Sequence, residues 1–163
     1  MIPAGMRWAP AVAMLVLLDQ LSKFAAVSGL EFQRPQPVFP GFNLTLMHNP
    51  GAAFSFLADA GGWQRWFFVA IAAGISILLV VMIRQTEVSA RMQRAGLVLV
   101  LGGALGNLID RLRLGYVIDF VELYYQHWSW PAFNVADSAI TVGAGFLLWS
   151  AFREPGGATA GKP

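Results

Sequence analysis

Four carboxylates, Asp19, Asp110, Asp119 and Asp137, interrupt or border long apolar runs in this chain of 163 residues. An ionisable group at membrane depth costs at least ~2.5 kcal/mol on insertion scales, so each one needs a partner or a task. Asp19 and Lys23 are four apart. That spacing stacks them on one helix face in the favourable acid-then-base order, which reads as a structural ion pair within reach of Gln20 or a neighbouring helix. Asp110 and Arg111 are adjacent, and side chains at i and i+1 diverge on a helix. They are expected to serve different partners, Asp110 mainly a structural one and Arg111 either a structural one or a ligand. Asp119, in Tyr116-Val117-Ile118-Asp119-Phe120-Val121, and Asp137 have no basic residue within four positions. Such a carboxylate is either a helix N-cap or a proton site.

Asp119 and Asp137 both fall near one end of the apolar segments and could meet there. Two carboxylates in contact in a low-dielectric pocket share one proton, because both cannot ionise comfortably. That arrangement activates a water and protonates a leaving amine. Asn49, Asn107 and Asn134 fall at the same level. Their amides suit either an extended peptide backbone cut off from water or turn and cap chemistry, the latter credible for Asn49 before Pro50-Gly51. With no cysteine and only His48 and His127, no disulfide, thiolate metal site or cysteine nucleophile is available. Hydrolytic chemistry would rest on Asp or Glu, with no metal and no cofactor. The two histidines read as interfacial side chains.

The elements that must carry these groups follow from hydropathy. Hydrophobic residues make up 56% of the chain and charged ones 12%, about half the charge of ordinary soluble domains. A water-soluble globule and a disordered chain are both excluded. Charge-free runs cover Trp8–Leu18, Trp66–Ile83, Ala95–Ile109 and Ser138–Phe152, of 11, 18, 15 and 15 residues. Extended through their interrupting charges, they predict four membrane spans at about 8–27, 66–83, 95–109 and 133–152, in one integral domain over 1–154. Asp19 and Lys23 also argue against reading the first apolar stretch as a cleavable signal.

Arg7, Arg84, Arg91, Arg94, Arg153 and Lys162 would lie on one side, and Arg34, Arg65, Arg111 and Arg113 on the other. That balance favours cytoplasmic termini and two outward loops. The basic residues are scattered, which argues against nucleic acid. Phe42-Asn43-Leu44-Thr45-Leu46-Met47 alternates like a strand, so a small outward sheet is expected. The second outer loop, with Tyr116, Tyr124, Tyr125, Trp128 and Trp130, is expected to lie along the membrane surface. Gly102-Gly103-Ala104-Leu105-Gly106, and Ala139 with Gly143, have small residues at helix-packing spacing. Residues 155–163 are expected to be a disordered tail.

Five blocks together resemble the lipoprotein signal peptidases, the bacterial signal peptidase II family. They are Asp19-Gln20-Leu21-Ser22-Lys23, Asn49-Pro50-Gly51-Ala52-Ala53-Phe54, Gly106-Asn107-Leu108-Ile109-Asp110-Arg111, Val117-Ile118-Asp119-Phe120 and Phe133-Asn134-Val135-Ala136-Asp137-Ser138. The resemblance implies a mainly α, polytopic membrane aspartic endopeptidase of the cytoplasmic (inner) membrane, with four helices, an outward β-cradle and a surface helix in the second outer loop. Its substrates would be prolipoproteins, cut before the diacylglyceryl-modified cysteine with membrane lipid close by. By the same resemblance Asp119 and Asp137 are the catalytic pair, while Asn49, Asn107, Arg111 and Asn134 line the substrate pocket. Asp19, Lys23 and Asp110 are scaffold, and the protein is expected to be monomeric. Two rival readings are a small proton- or ion-conducting bundle, which needs carboxylates spread across the bilayer depth, and a non-enzymatic lipid-binding or assembly protein.

Overall fold

The computed structural model describes residues 7–51 and 63–153. Four long helices, α1 (Ala9–Gly29), α2 (Trp63–Gln85), α3 (Arg91–Arg113) and α4 (Val135–Arg153), carry the apolar runs. All four are long and apolar enough to cross a membrane. Strands β1 (Gln36–Phe39) and β2 (Phe42–Asn49) follow α1, and β3 (Val117–Tyr125) and β4 (Trp128–Ser129) lie between α3 and α4. They form one antiparallel sheet in the order β1-β2-β3-β4, at the end of the bundle where α1 and α3 finish and α4 begins.

Helix α3 is the hub of the bundle. Leu97 and Leu101 are fully buried with Val12 of α1 and with Leu79 and Ile83 of α2. Its glycines let backbones approach. A Cβ on Gly103 would stand 2.4 Å from the Ala136 carbonyl oxygen, and Gly96 and Gly143 each face the other's carbonyl oxygen at 2.8 Å from such an atom. The small-residue spacing is therefore used for close packing of α3 on α4. Gly115, at φ +87°, ends α3 in the left-handed position that favours glycine, its N–H donating to the Arg111 carbonyl at 3.2 Å. The chain then turns directly into β3.

The structure corrects several expectations. The third span has 23 residues rather than 15, because Asp110 is carried inside the helix by Lys23 and so does not end it. Helix α2 runs three residues earlier and two later than 66–83, and α1 and α4 differ from their expected bounds by one or two residues. The stretch between α3 and α4 contains strands, with no surface helix over residues 114–134. The β-branched and aromatic run Val117-Ile118-Asp119-Phe120-Val121 favours a strand, and it finds in β2 an edge to pair with. Residues 52–62 and the tail at 155–163 lie outside the described residues, and with them the Ala52-Ala53-Phe54 part of one motif.

Strand β2 pairs Leu44 with Val121, Met47 with Asp119 and Asn49 with Val117. Three steps on β2 thus match two on β3, so β2 carries one extra residue, a bulge. A one-residue shift turns every later side chain to the opposite face. Beyond the bulge Asn49 consequently shares a face with Asp119. Phe133 adds a short bridge on the other side of β3, its N–H and carbonyl bonded to Val121 at 3.0 and 2.8 Å. This bridge delivers Asn134, the next residue, to Asp119.

Candidate active site

Lys23 is the anchor on the helix side. It is 1% exposed, and its ammonium donates to Asp19 Oδ2 at 2.9 Å, Asp110 Oδ2 at 2.8 Å and Asn107 Oδ1 at 2.9 Å. A lysine has three donors and no acceptor, so this set is complete. The two carboxylates are satisfied in turn. Asp19 Oδ1 accepts from the Ala136 N–H at 3.0 Å, Asp110 Oδ2 accepts from the Ile118 N–H at 3.2 Å, and Gln20 Nε2 donates to Asp110 at 2.9 Å and Asp19 at 3.2 Å. The triad ties α1, α3, α4 and β3 together. The expected ion pair is therefore a three-member cluster, whose second acid could not be read from spacing along α1.

Asp119 sits on β3, 2% exposed. Its Oδ1 accepts from Asn134 Nδ2 at 2.7 Å and its Oδ2 from Asn49 Nδ2 at 3.0 Å. Burial pushes its carboxyl up to about 6. The Asn49 and Asn134 amides work against that rise, and the field of Asp137 adds to it. Asp137 is the third residue of α4. Its Oδ1 accepts from Asn107 Nδ2 at 2.8 Å, and its Oδ2 from the Asn134 N–H at 3.3 Å. Asn134 Oδ1 accepts in return from the Asp137 N–H at 2.9 Å. This reciprocal pattern is a capping box. The N-cap role considered for an unpaired Asp thus belongs to Asn134, and the Asn134-to-Asp137 spacing of three was the signal for it.

All three asparagines converge, and each has its amide oxygen claimed. Gly51 N–H holds Asn49 Oδ1 at 2.9 Å, Asp137 N–H holds Asn134 Oδ1, and Lys23 holds Asn107 Oδ1. Turn and cap chemistry and carboxylate contact are therefore one arrangement here. With its oxygen occupied, each amide turns its NH2 toward an aspartate.

Arg111 makes no hydrogen bond to either aspartate. Its guanidinium lies 5.5 Å over the Phe68 ring and reaches the Asn107 carbonyl at 3.5 Å. Its Nε has no hydrogen-bond partner among the described residues. It lines, with Phe68, Asn107 and Asp137, a cavity of about 360 Å³ between α2, α3 and α4. A second, mostly apolar cavity of about 460 Å³, lined by Leu123, Trp130, Phe133 and Val142, also reaches Asp137. Asp137 thus opens on two hollows, while Asp119 is nearly fully buried. His48 stacks on Tyr116 with ring centroids 4.1 Å apart, and the Phe32 ring meets it tilted at 4.6 Å.

Sequence reasoning named Gln20 only as a possible neighbour of the Asp19–Lys23 pair, and it missed the Glu122 cluster, where Thr45 Oγ1 and Asn43 Nδ2 donate to Glu122 Oε2 at 2.6 and 3.2 Å. The signal for the second was the alternation of polar residues on β2.

Four spanning helices capped at one end by a small sheet, with two acidic residues tied through shared asparagines beside apolar cavities, define a polytopic membrane protein with an enzyme-like polar site. A solved structure described as a bacterial membrane enzyme has the same fold, at a TM-score of 0.80 and 28% identity, covering 91% of this chain and 94% of that one. The sequence profile of the family described as Signal peptidase (SPase) II matches residues 11–153. The lipoprotein signal peptidase of Teredinibacter turnerae is 50% identical over 146 residues, 90% of this chain and 87% of its relative. That of Polynucleobacter necessarius is 46% identical over 155 residues, 95% and 94% of the two chains. The chain belongs to the signal peptidase II family, a family of membrane proteases.

Proposed function

We propose that this protein is an aspartic endopeptidase that removes signal peptides from prolipoproteins, cutting before the diacylglyceryl-modified cysteine, with Asp119 and Asp137 as the catalytic pair. The observation that carries this reading is the linkage of the two carboxylates through Asn134, which donates to Asp119 from its side chain and to Asp137 from its backbone. Asp119, buried and pushed up to about 6, is the member that holds the shared proton. Asp137, open to both cavities, is the member that meets water.

In the reaction, Asp137 takes a proton from the attacking water while Asp119 donates a hydrogen bond to the scissile carbonyl oxygen. The tetrahedral intermediate then collapses as a proton passes to the leaving nitrogen. The products are the signal peptide with a new carboxyl end and a cysteine with a free amine. Asn49, Asn107 and Asn134 hold the carboxylates, and Arg111 lines the substrate cavity. The apolar hollows suit a substrate whose signal helix and acyl chains stay in lipid.

We further propose cytoplasmic termini, with the sheet end of the bundle at the outer face of the inner membrane, and a monomer. The proton-conducting alternative needs acids spread through the bilayer, whereas Asp19, Asp110, Asp119 and Asp137 join one hydrogen-bonded cluster. The deciding experiment is cleavage of a purified diacylglyceryl-modified prolipoprotein. Asp119→Asn and Asp137→Asn should each insert and fold normally and lose at least ~10³-fold in rate, the scale seen for members of catalytic units. Residual cleavage within a few-fold of wild type in either variant removes the pair assignment.

A further inference from the structure

We infer that Lys23 is a positioning residue for the reaction, acting through Asn107 on Asp137, and that the buried triad around it exists to hold its ammonium in place. The inference rests on the aspartate-pair reading above and adds a residue to it that touches neither substrate nor reacting carboxylate.

An asparagine amide has a donor end and an acceptor end of nearly the same shape, and only its partners decide which way it points. If the Asn107 amide were reversed, its oxygen would face Asp137 Oδ1, acceptor against acceptor. For Asn49 and Asn134 the orientation is enforced by backbone N–H groups, those of Gly51 and Asp137. Asn107 lies inside α3, where the neighbouring N–H groups are committed to the helix. Its oxygen is instead held by Lys23 at 2.9 Å.

Lysine can only donate, so it accepts the amide in one orientation. Asn134 Nδ2 also approaches Asn107 Oδ1, at 3.2 Å, but its two hydrogens are divided among that oxygen, the Ile118 carbonyl at 3.2 Å and Asp119 at 2.7 Å. Lys23 is the dedicated donor. Asp19 and Asp110 grip the same ammonium at 2.9 and 2.8 Å and prevent it from swinging away. Gly106 is part of the device, since a Cβ there would stand 2.5 Å from Asp19 Oδ2.

Asn107 in turn supplies the shorter of the two hydrogen bonds on Asp137, 2.8 Å against 3.3 Å from the Asn134 N–H. Losing its orientation frees the carboxylate to rotate away from the water it activates. The effect belongs to turnover rather than to substrate binding.

The test uses the full-length protein in detergent or vesicles with a diacylglyceryl-modified prolipoprotein as substrate. Lys23→Met combined with Asp110→Asn keeps the net charge of the cluster at one negative, removing one positive and one negative group together. The expected result is a folded, inserted protein more stable than Lys23→Met alone, with kcat lowered at least ten-fold and KM within two-fold of wild type, because Asn107 no longer presents an oriented donor to Asp137. Wild-type kcat in the folded double variant overturns the inference.

Should that variant fail to fold, Asn107→Asp leaves the triad intact. Lys23 then holds one oxygen of the new carboxylate, and the other confronts Asp137. Turnover should drop at least a hundred-fold with KM within two-fold of wild type, because the donor to Asp137 Oδ1 is replaced by an acceptor. A wild-type rate there also overturns the inference. Asp137→Asn serves as the control. Full activity in that variant removes the aspartate reading itself, whereas an inactive Asp137→Asn beside a wild-type-like Lys23→Met/Asp110→Asn removes only the role of Lys23.

Discussion

Asn134 Nδ2 lies 2.7 Å from Asp119 Oδ1, so the residue that caps α4 also holds the carboxylate on β3. Helix start and acid pair are set by one fully buried side chain. The two duties separate by substitution. Asn134→Ala should lose the cap, about 1 kcal/mol, and leave the Asp119 oxygen short of a donor, a further ~1–3 kcal/mol. Asn134→Ser keeps an oxygen for the Asp137 N–H and should recover the cap contribution in thermal melts. It cannot reach Asp119 with a second donor, so its cleavage rate should stay at least ten-fold down. Full activity in the Ser variant would show that Asp119 needs no donor from Asn134.

The raised Asp119 value gives two pH dependences. Its folded value of about 6 lies above the ordinary 3.8. Between the two the folded protein keeps a proton that the unfolded chain has released. The stabilisation is therefore fully present below 3.8 and is lost as the pH rises to about 6, by on the order of 3 kcal/mol. Asp119→Asn should flatten that part of the stability profile, which denaturation at a series of pH values reads directly. For activity, kcat/KM of the wild type should decline as the pH rises beyond about 6 and the pair loses its shared proton. A flat profile from pH 5 to 8 would contradict the assignment of the proton to Asp119.

Gly103→Ala and Gly106→Ala should differ in kind. The added methyl at 103 meets the Ala136 backbone oxygen at 2.4 Å, which cannot move without shifting α4. A loss of ~1–3 kcal/mol is expected from overpacking. At 106 it meets the Asp19 carboxylate at 2.5 Å, a side chain that can rotate only by leaving Lys23. That variant should lose more activity relative to stability than the first. Paired melting and cleavage assays test the order.

Lys23→Met alone should be far more damaging than its charge-balanced double variant. It strands Asp19 and Asp110 together with no cation, both nearly fully buried. Breaking a buried pair in this way costs about 3–5 kcal/mol. Low yield of inserted protein from Lys23→Met, raised in part when Asp110→Asn removes one of the two stranded carboxylates, is the expected outcome in a membrane-fraction blot.

Much of the molecule was legible in its sequence because the bilayer sets strict terms. A span needs enough apolar residues to cross the hydrocarbon layer, so the apolar runs located four helices to within a few residues at most ends. The exception is α3, which runs several residues beyond both ends of its charge-free stretch. Charge scarcity singled out Asp19, Lys23, Asp110, Asp119 and Asp137, since each had to be paired or put to use. The i,i+4 pair Asp19–Lys23 stands as the spacing required. The small residues at 103 and 143 pack helix against helix as their spacing predicted.

What lay beyond the sequence was relative placement between elements. The third member of the ion cluster, Asp110, is 87 residues from Lys23 along the chain, and periodicity within α1 carries no information about it. The segment after α3 is aromatic and β-branched, which suits a membrane-surface helix or a strand until a pairing edge is supplied. Strand β2 supplies that edge. Most of all, the single extra residue between Leu44 and Met47 puts Asn49 on the face that carries Asp119. Alternation along one strand fixes which side chains share a face, but not where the partner strand slips by one. The sequence by itself determined which residues are too costly to be idle in a membrane. Only the tertiary structure decided which of them meet, because register and helix packing are settled by contacts between segments far apart in the chain.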